Sequence, residues 1–368
     1  MIEKLSKEKI GNSLVVNLLI PLGAIILALL IGSIFLRLAG ADPIKAYISM
    51  FGESLGTHYG LTETLVKAVP LLLVGLGICV AFRSGMINIG AEGQMIAGAL
   101  FGTLIALLFS GLPKFLLLPL VLIAGFLGGS IYGMLPGILK ACLNVNEILS
   151  TVMLNSIALQ IQYLLLRGVM IDPQEIAYGT GYPQSAKISE AAWLARIAPG
   201  TRVHTGIFIA VILAVIIYLL LWRMVIGYRL RAVGKSVEAS RYAGIDVKSN
   251  MILSMFIAGG LAGLAGMVEV SGIHHRLLDG ISAGYGFSGI VSALFGKLHP
   301  LGNIFAAFLF GALLSGAERL QRSVGVPSAM VYVIEGLVVI FVISSDLFSR
   351  KLLTKRMDLP VDKKARSA

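Results

Sequence analysis

Apolar runs long enough to cross a lipid bilayer recur along nearly the whole of this 368-residue chain. Spanning the hydrocarbon as a helix takes about 20 predominantly apolar residues, and the first such run extends from Leu14 to Leu38. Others lie at about 62–82, 92–110, 115–139, 148–166, 204–222, 250–270, 285–298, 303–317 and 329–347. In lipid every backbone polar group must be satisfied within the protein, so these runs predict helices. The expected architecture is an all-α polytopic membrane protein of about ten transmembrane helices. Its transmembrane domain, 14–347, would sit between a short N-terminal segment, 1–13, and a basic tail, 348–368. The first run ends in Ala39-Gly40-Ala41, which has the form of a signal-peptide cleavage site. An h-region is about 7–15 residues; this run is longer, so a retained helix is expected.

Composition agrees. Only 13% of residues are charged and 57% are hydrophobic, whereas a soluble domain carries roughly 25% charged residues to hydrate its surface. The formal net charge of +11 would suggest nucleic acid in a soluble protein. Here the basic residues gather in a few loops and the tail, which points to membrane orientation and not to a nucleic-acid partner. The 223–249 loop holds Arg223, Arg229, Arg231, Lys235, Arg241 and Lys248, and the tail and the N-terminus are also basic. Ten crossings put all three on one side, so both termini and the 223–249 loop are expected in the cytoplasm. The 167–203 loop, with Asp172, Glu175 and Glu190 among its charges, then lies outside. Cys79 and Cys142 suggest neither a disulfide framework nor a metal site.

A repeat is faintly visible. Gly90–Gly102 reads GAEGQMIAGALFG and Gly284–Gly296 reads GYGFSGIVSALFG, with six of thirteen positions shared. These fall on the third and eighth expected helices. An offset of five places the halves in opposite orientations, a 5+5 inverted repeat of the kind transporters use; chance likeness between two Gly/Ala/Leu-rich helices is the other reading.

Catalytic chemistry is not legible. His58, His204, His274, His275 and His299 show no metal-ligand spacing. Gly234-Lys235-Ser236 has the ending of a phosphate-binding loop, but the glycine that motif needs five residues earlier is Arg229. The chain is expected to hold no cofactor and to bind no ATP itself.

Polar residues do interrupt the apolar runs. The stretch Arg83-Ser-Gly-Met-Ile-Asn-Ile-Gly-Ala-Glu-Gly-Gln94 places Asn88, Glu92 and Gln94 among Gly85, Gly90 and Gly93. Glycine costs about 1 kcal/mol relative to alanine in a helix, and non-helical backbone at membrane depth survives only where it is buried in protein or lines a cavity. One reading is a broken helix beside a pathway; the other is a short cytoplasmic loop in which Glu92 caps the following helix. In Asn144–Asn155, the side chains of Asn146, Glu147 and Asn155 could face a pathway or act as interhelical hydrogen-bond glue. The Gly227–Ile245 segment is basic and amphipathic, with small Ala239, Ser240, Ala243 and Gly244. Small side chains on a short exposed helix let another protein's backbone approach; a solvated, membrane-hugging loop is the plainer alternative.

At these segments the chain resembles the permeases of ABC importers of the branched-chain amino acid, ribose and nucleoside class. NIGAEGQ within Phe82–Gln94, NEILSTVMLN at Asn146–Asn155, and GYGFSGIVSALFGKLHPLG at Gly284–Gly302, which contains Phe287, look like the nucleoside-type subgroup. The resemblance runs from about Asp42 to Asp346. It implies a substrate pathway lined by Asn88, Glu92, Gln94, Asn146, Glu147, Asn155 and Phe287. Glu238-Ala-Ser followed by Gly244 is similar to the coupling-helix signature of importer permeases. That similarity implies ATPase contact through Arg229, Arg231, Gly234, Glu238, Ala239, Ser240, Ala243 and Gly244. The implied partners are an ATPase with two nucleotide sites, a second and related permease chain, and an extracytoplasmic substrate-binding lipoprotein. All would assemble in a bacterial-type cell membrane. Within that class, sugars or branched-chain amino acids are the alternative substrates. Outside it, an ion-coupled secondary transporter would need paired intramembrane carboxylates, for which Glu92, Glu269 and Glu335 are candidates. An intramembrane enzyme would need a nucleophile–base pair or a metal, and none is legible.

Overall fold

The computed structural model describes residues 23–324, apart from 25, 39, 180 and 181, together with scattered positions between 333 and 344. The expected termini, 1–13 and 348–368, and most of the expected 329–347 helix therefore lie outside the described residues, as does Glu335. The chain divides into two compact units, residues 1–52 with 316–368, and residues 53–315.

α1 (Ile26–Leu38) and α2 (Pro43–Gly56) follow one another across a bend of 118°, in the first unit up to residue 52. Gly32 lies against Tyr47, whose hydroxyl donates to the Leu29 carbonyl at 2.7 Å. The second unit carries α3 (His58–Arg83), α4 (Ala91–Leu108), α5 (Lys114–Leu143), α6 (Glu147–Arg167) and the short α7 (Pro173–Tyr178). It continues with α8 (Gly206–Arg223), α9 (Val225–Lys235), α10 (Val237–Tyr242) and α11 (Val247–Glu269). A π-turn, Val270–His274, prolongs α11 before α12 (Tyr285–Phe295) and α13 (Pro300–Val324), whose residues from 316 onward belong to the first unit. Among the described residues, seven helices are long and apolar enough to cross a membrane: α3, α4, α5, α6, α8, α11 with its π-turn, and Pro300–Glu318 of α13. The bent α1–α2 pair would make an eighth.

Among the described residues, the expected run at 285–298 is too short to cross. That run forms an 11-residue helix, about 17 Å at 1.5 Å per residue, roughly half the hydrocarbon thickness. It stops at Phe295 because Lys297 and Leu298 both take left-handed backbone conformations, φ 56° and 52°.

Length and side-chain size set the packing of the others. α3, α4 and α11 are the most enclosed, with 89%, 72% and 72% of their apolar windows buried, against 33% for α5 and 22% for α6. α11 meets α4 and α5 nearly backbone to backbone. A Cβ on Gly98 would fall 2.2 Å from the Gly263 Cα, and one on Gly129 would fall 2.2 Å from the Gly259 carbonyl oxygen. Without a hydrophobic drive between helices in lipid, such close contact supplies the dispersion attraction that holds them. The 167–203 segment folds onto the stretch after α11. It is closed on itself by the isolated bridge Ile171–Ser185 and pinned there by the bridge Gln184–Leu278, by a Leu277 N–H to Ser185 Oγ hydrogen bond of 2.9 Å, and by the Trp193 ring stacked on His275.

Candidate functional site

Between α3 and α4 the helix is broken. Residues 84–90 are a turn followed by irregular chain, entered through Gly85 at φ 80°. Such a segment leaves backbone groups without helical partners, and buried side chains supply them. The Asn88 amide donates to Gln94 Oε1 at 2.9 Å, and the Gln94 amide returns a bond to Asn88 Oδ1 at 3.1 Å. Asn88 Oδ1 also accepts from the Gly90 N–H at 2.9 Å. From α6, Asn155 takes the Gly93 N–H at 2.8 Å and donates to the Ile89 carbonyl at 2.9 Å. Asn88, Gln94 and Asn155 are all buried. The break runs inward from exposed Gly85, against Gly234, to buried Gly90, against Thr151 of α6; Gln94, bonded to Asn88, stands against Gly133, ten residues before α5 ends at Leu143, about 15 Å of helix.

Glu92, in the first turn of α4, reaches across to α12. One carboxylate oxygen accepts the Gly284 N–H at 3.0 Å and the other the Gly286 N–H at 2.8 Å. These are unpaired donors at a helix N-terminus, where an anion is favoured by the helix dipole. Glu92 therefore caps a helix, though not the one that follows it. The two stretches of the faint repeat meet through this contact.

The remaining expected site residues are dispersed. Asn146 caps α6, accepting from the Ile148 and Leu149 N–H groups at 2.9 and 3.3 Å. Glu147 pairs with Lys140 at 3.0 Å. Phe287 projects from α12 with about half its surface exposed, 49%. In the break the exposed side chain is Ile87, at 38%, a residue passed over in the sequence because only polar side chains stand out against an apolar run.

Arg83, which opens the same stretch, was also missed. Its guanidinium donates to the Leu298 and Lys297 carbonyls at 2.9 and 3.2 Å, beyond the end of α12. It also lies over the Trp222 ring, 4.9 Å from the centroid. Arg231 approaches the same ring at 5.7 Å, and His299 at 4.7 Å. A lone arginine closing a 26-residue apolar helix was the available signal.

The expected coupling segment is two short helices. Ser236 ends α9 and caps α10 through its hydroxyl, which accepts the Ala239 N–H at 3.2 Å. Gly244, at φ 74°, closes α10, and Asp246 then caps α11 through the Ser249 N–H at 3.1 Å and hydroxyl at 2.6 Å. These bonds hold the Asp246 carboxyl below its usual range. Arg229, Glu238, Ala239, Ala243 and Gly244 are exposed, Arg231 is half-buried, and Ser240 is buried against its own chain. Gly234, though open to solvent, allows no side chain, because a Cβ would fall 2.2 Å from the Arg83 carbonyl oxygen.

At the opposite end Arg202 grips buried Glu63 with both a 3.0 Å Nε bond and a second guanidinium contact. Glu269 is buried nearby, 4.0 Å from His274, and the charges of Lys67 and Arg202 bear on it. Glu92 and Glu269 thus have separate partners. Among the described residues no group of His, Cys, Asp and Glu side chains could hold a metal ion.

A family model described as the permease component of branched-chain amino acid transport systems matches residues 60–343. The glucose ABC transporter permease protein TsgB13 of Haloferax volcanii is 37% identical over 90% of this chain and 88% of its own length. The guanosine ABC transporter permease protein NupP of Bacillus subtilis is 36% identical over 89% and 94%. The nucleoside ABC transporter permease protein NupB of Lactococcus lactis subsp. cremoris is 35% identical over 89% and 90%. The chain is a member of this family of ABC transporter permeases, membrane-embedded transport subunits that carry out no bond chemistry themselves.

Proposed function

We propose that the chain forms one wall of the translocation pathway of a nucleoside importer and passes movement to it from an ATPase on a separate chain. One observation carries the pathway reading: irregular backbone runs from exposed Gly85 inward to buried Gly90 within the helical bundle, with its buried polar side chains satisfied internally. Irregular backbone persists at membrane depth only where protein or a cavity covers it. Asn88, Gln94 and Asn155 then hold the shape of the wall, Glu92 ties it to α12, and Ile87 and Phe287 supply its exposed surface; Asn146 and Glu147 border its cytoplasmic end. The exposed face of α10 fits the coupling contact, with Ala239, Ala243 and Gly244 outward and Arg229, Arg231, Gly234, Glu238 and Ser240 supporting it.

In this reading ATP binds only to the partner, and this chain needs no cofactor. The termini and the 223–249 loop face the cytoplasm, and the 167–203 loop faces a substrate-binding lipoprotein outside. A second, related permease chain completes the pathway, and the two Gly-Ala-rich stretches are the remnant of an inverted repeat. Transport is a population shift between inward- and outward-open states, driven by the ATPase's preference for one of them.

The substrate class rests on NIGAEGQ and on two of the relatives being a guanosine and a nucleoside permease. The glucose permease keeps a sugar as the second reading. The test is ATP-dependent uptake by the complete complex in proteoliposomes, with labelled guanosine, uridine, glucose and leucine offered separately. Nucleoside accumulation is expected. Glucose accumulation without nucleoside uptake would give the second reading, and uptake that needs only an ion gradient would remove the ATPase from the mechanism.

A further inference from the structure

The break and the coupling segment meet at one small turn. Gly234, in the last turn of α9, sits on the Arg83–Gly85 turn so closely that a Cβ on Gly85 would fall 3.1 Å from its Cα. α9 and α10 share Ser236, the end of one and the cap of the other. Displacing α10 therefore displaces α9, and α9 has no slack against the turn. On the far side of that turn, Arg83 holds the carbonyls of Lys297 and Leu298 through two guanidinium nitrogens. These carbonyls follow the C-terminus of α12, where the helix dipole favours a cation.

α12 is consequently gripped at both ends from one hairpin, by Glu92 at Gly284 and Gly286 and by Arg83 at Lys297 and Leu298. It also lies along α3 in the same direction. Gly289 meets Val74 and Gly75, and eight residues further along both helices Lys297 and Leu298 meet Arg83. Trp222 keeps the guanidinium in place from one face, with Arg231 of α9 at the same ring. A planar, two-pronged donor stacked on an indole is a role lysine cannot fill.

We propose that Arg83 is the positioning residue that makes α12 follow the coupling segment, so that ATPase movement reaches the exposed Phe287. This rests on the import reading given above. A two-state element biased from both sites is the physical content of such coupling, and α12 with its two grips is that element.

The test uses the complete complex with Phe287→Cys as reporter in a Cys142→Ser background; Cys142 is exposed, whereas Cys79 is buried and shielded. Maleimide labelling of the reporter is timed without nucleotide and with ATP plus vanadate, beside ATPase activity and uptake. With Arg83 present, the labelling rate should change roughly tenfold between the two conditions, as for an equilibrium carried from one side to the other. With Arg83→Ala that change should vanish and ATP consumed per solute should rise about tenfold, while ATPase activity stays within about twofold of the parent. Arg83→Lys keeps the charge and answers if the alanine complex fails to assemble, with a response clearly below the parent expected. A parental response in the lysine complex, or a nucleotide-dependent reporter in the alanine complex, overturns the proposal. A wild-type complex, with Phe287 and Cys142 intact, in which ATP drives no uptake rejects the import reading itself, an outcome separate from failure of the arginine link.

Discussion

Asn88 and Gln94 face each other across the end of the broken segment and exchange two amide hydrogen bonds, 2.9 and 3.1 Å long, with both side chains buried. Removing Gln94 strands the Asn88 amide donor away from water, while Asn88 Oδ1 keeps the Gly90 N–H at 2.9 Å; an unsatisfied buried donor costs about 1–3 kcal/mol. Gln94→Ala should therefore lower the thermal stability of the detergent-solubilised protein by that amount. The Asn88→Ala/Gln94→Ala double variant should cost less than the sum of the two singles. In membrane proteins such coupling averages about 0.6 kcal/mol, with a maximum near 1.7. Strict additivity of the two substitutions would show that the pair does not act as one unit.

Glu92 leads to a sharper expectation, because both its oxygens are occupied by backbone donors of α12. Glutamine offers a single acceptor oxygen and turns an N–H toward the second donor. Losing one charge-assisted bond costs about 1.5–3 kcal/mol. Glu92→Gln should lose uptake together with stability, in parallel. Loss of uptake at full stability would instead assign the carboxylate to solute contact.

The helices themselves were legible because, in lipid, length and apolarity decide; α3, α5 and α11 fall close to the expected runs. The run at 285–298 was not legible as half a crossing. Its composition is that of a spanning helix up to Lys297, and the two left-handed residues that follow α12 leave no mark in residue type. The polar residues of the site stood out as a group, but their duties did not. Asn155 serves a backbone N–H 62 residues away, and Glu92 serves two that are 192 and 194 residues away. Ile87 and Arg83 are easily passed over, for opposite reasons. Ile87 is indistinguishable from the lipid-facing residues, whereas Arg83 looks like an ordinary interfacial anchor at a helix end.

Gly244 tests the coupling segment. Its φ of 74° is one that glycine adopts freely, and nothing lies within 4 Å of where a Cβ would stand. A side chain there costs roughly 1 kcal/mol of backbone strain but meets no atom of its own chain. Gly244→Leu should leave the protein folded and obstruct a docked ATPase; each 1.4 kcal/mol of lost docking weakens the contact about tenfold. Uptake should fall by that order while ATP hydrolysis continues, with Gly244→Ala intermediate. Parental uptake in the leucine variant would reject this face as the docking surface.

His204 makes stability depend on pH. It is buried at 1% exposure before α8, and its Nδ1 accepts the Gly206 N–H at 3.1 Å. Protonation would place a charge in a desolvated site and cancel that acceptor. Burial chiefly, and the nearby His275 charge secondarily, lower its pKa from 6.5 to about 4. The unfolded chain therefore binds a proton between those values that the folded chain refuses, so stability rises with pH through this window. Acidifying from pH 6.5 toward 4 should remove stability progressively, by about 3 kcal/mol at most from this group at 1.36 kcal/mol per unit. Below about pH 4 both states are protonated and the dependence from this group ends. His204→Gln, which keeps a polar side chain without the titration, should flatten the thermal-stability profile between pH 4 and 6.5. An unchanged slope in that variant would place the titrating group elsewhere, with His275 the next candidate because burial lowers it as well.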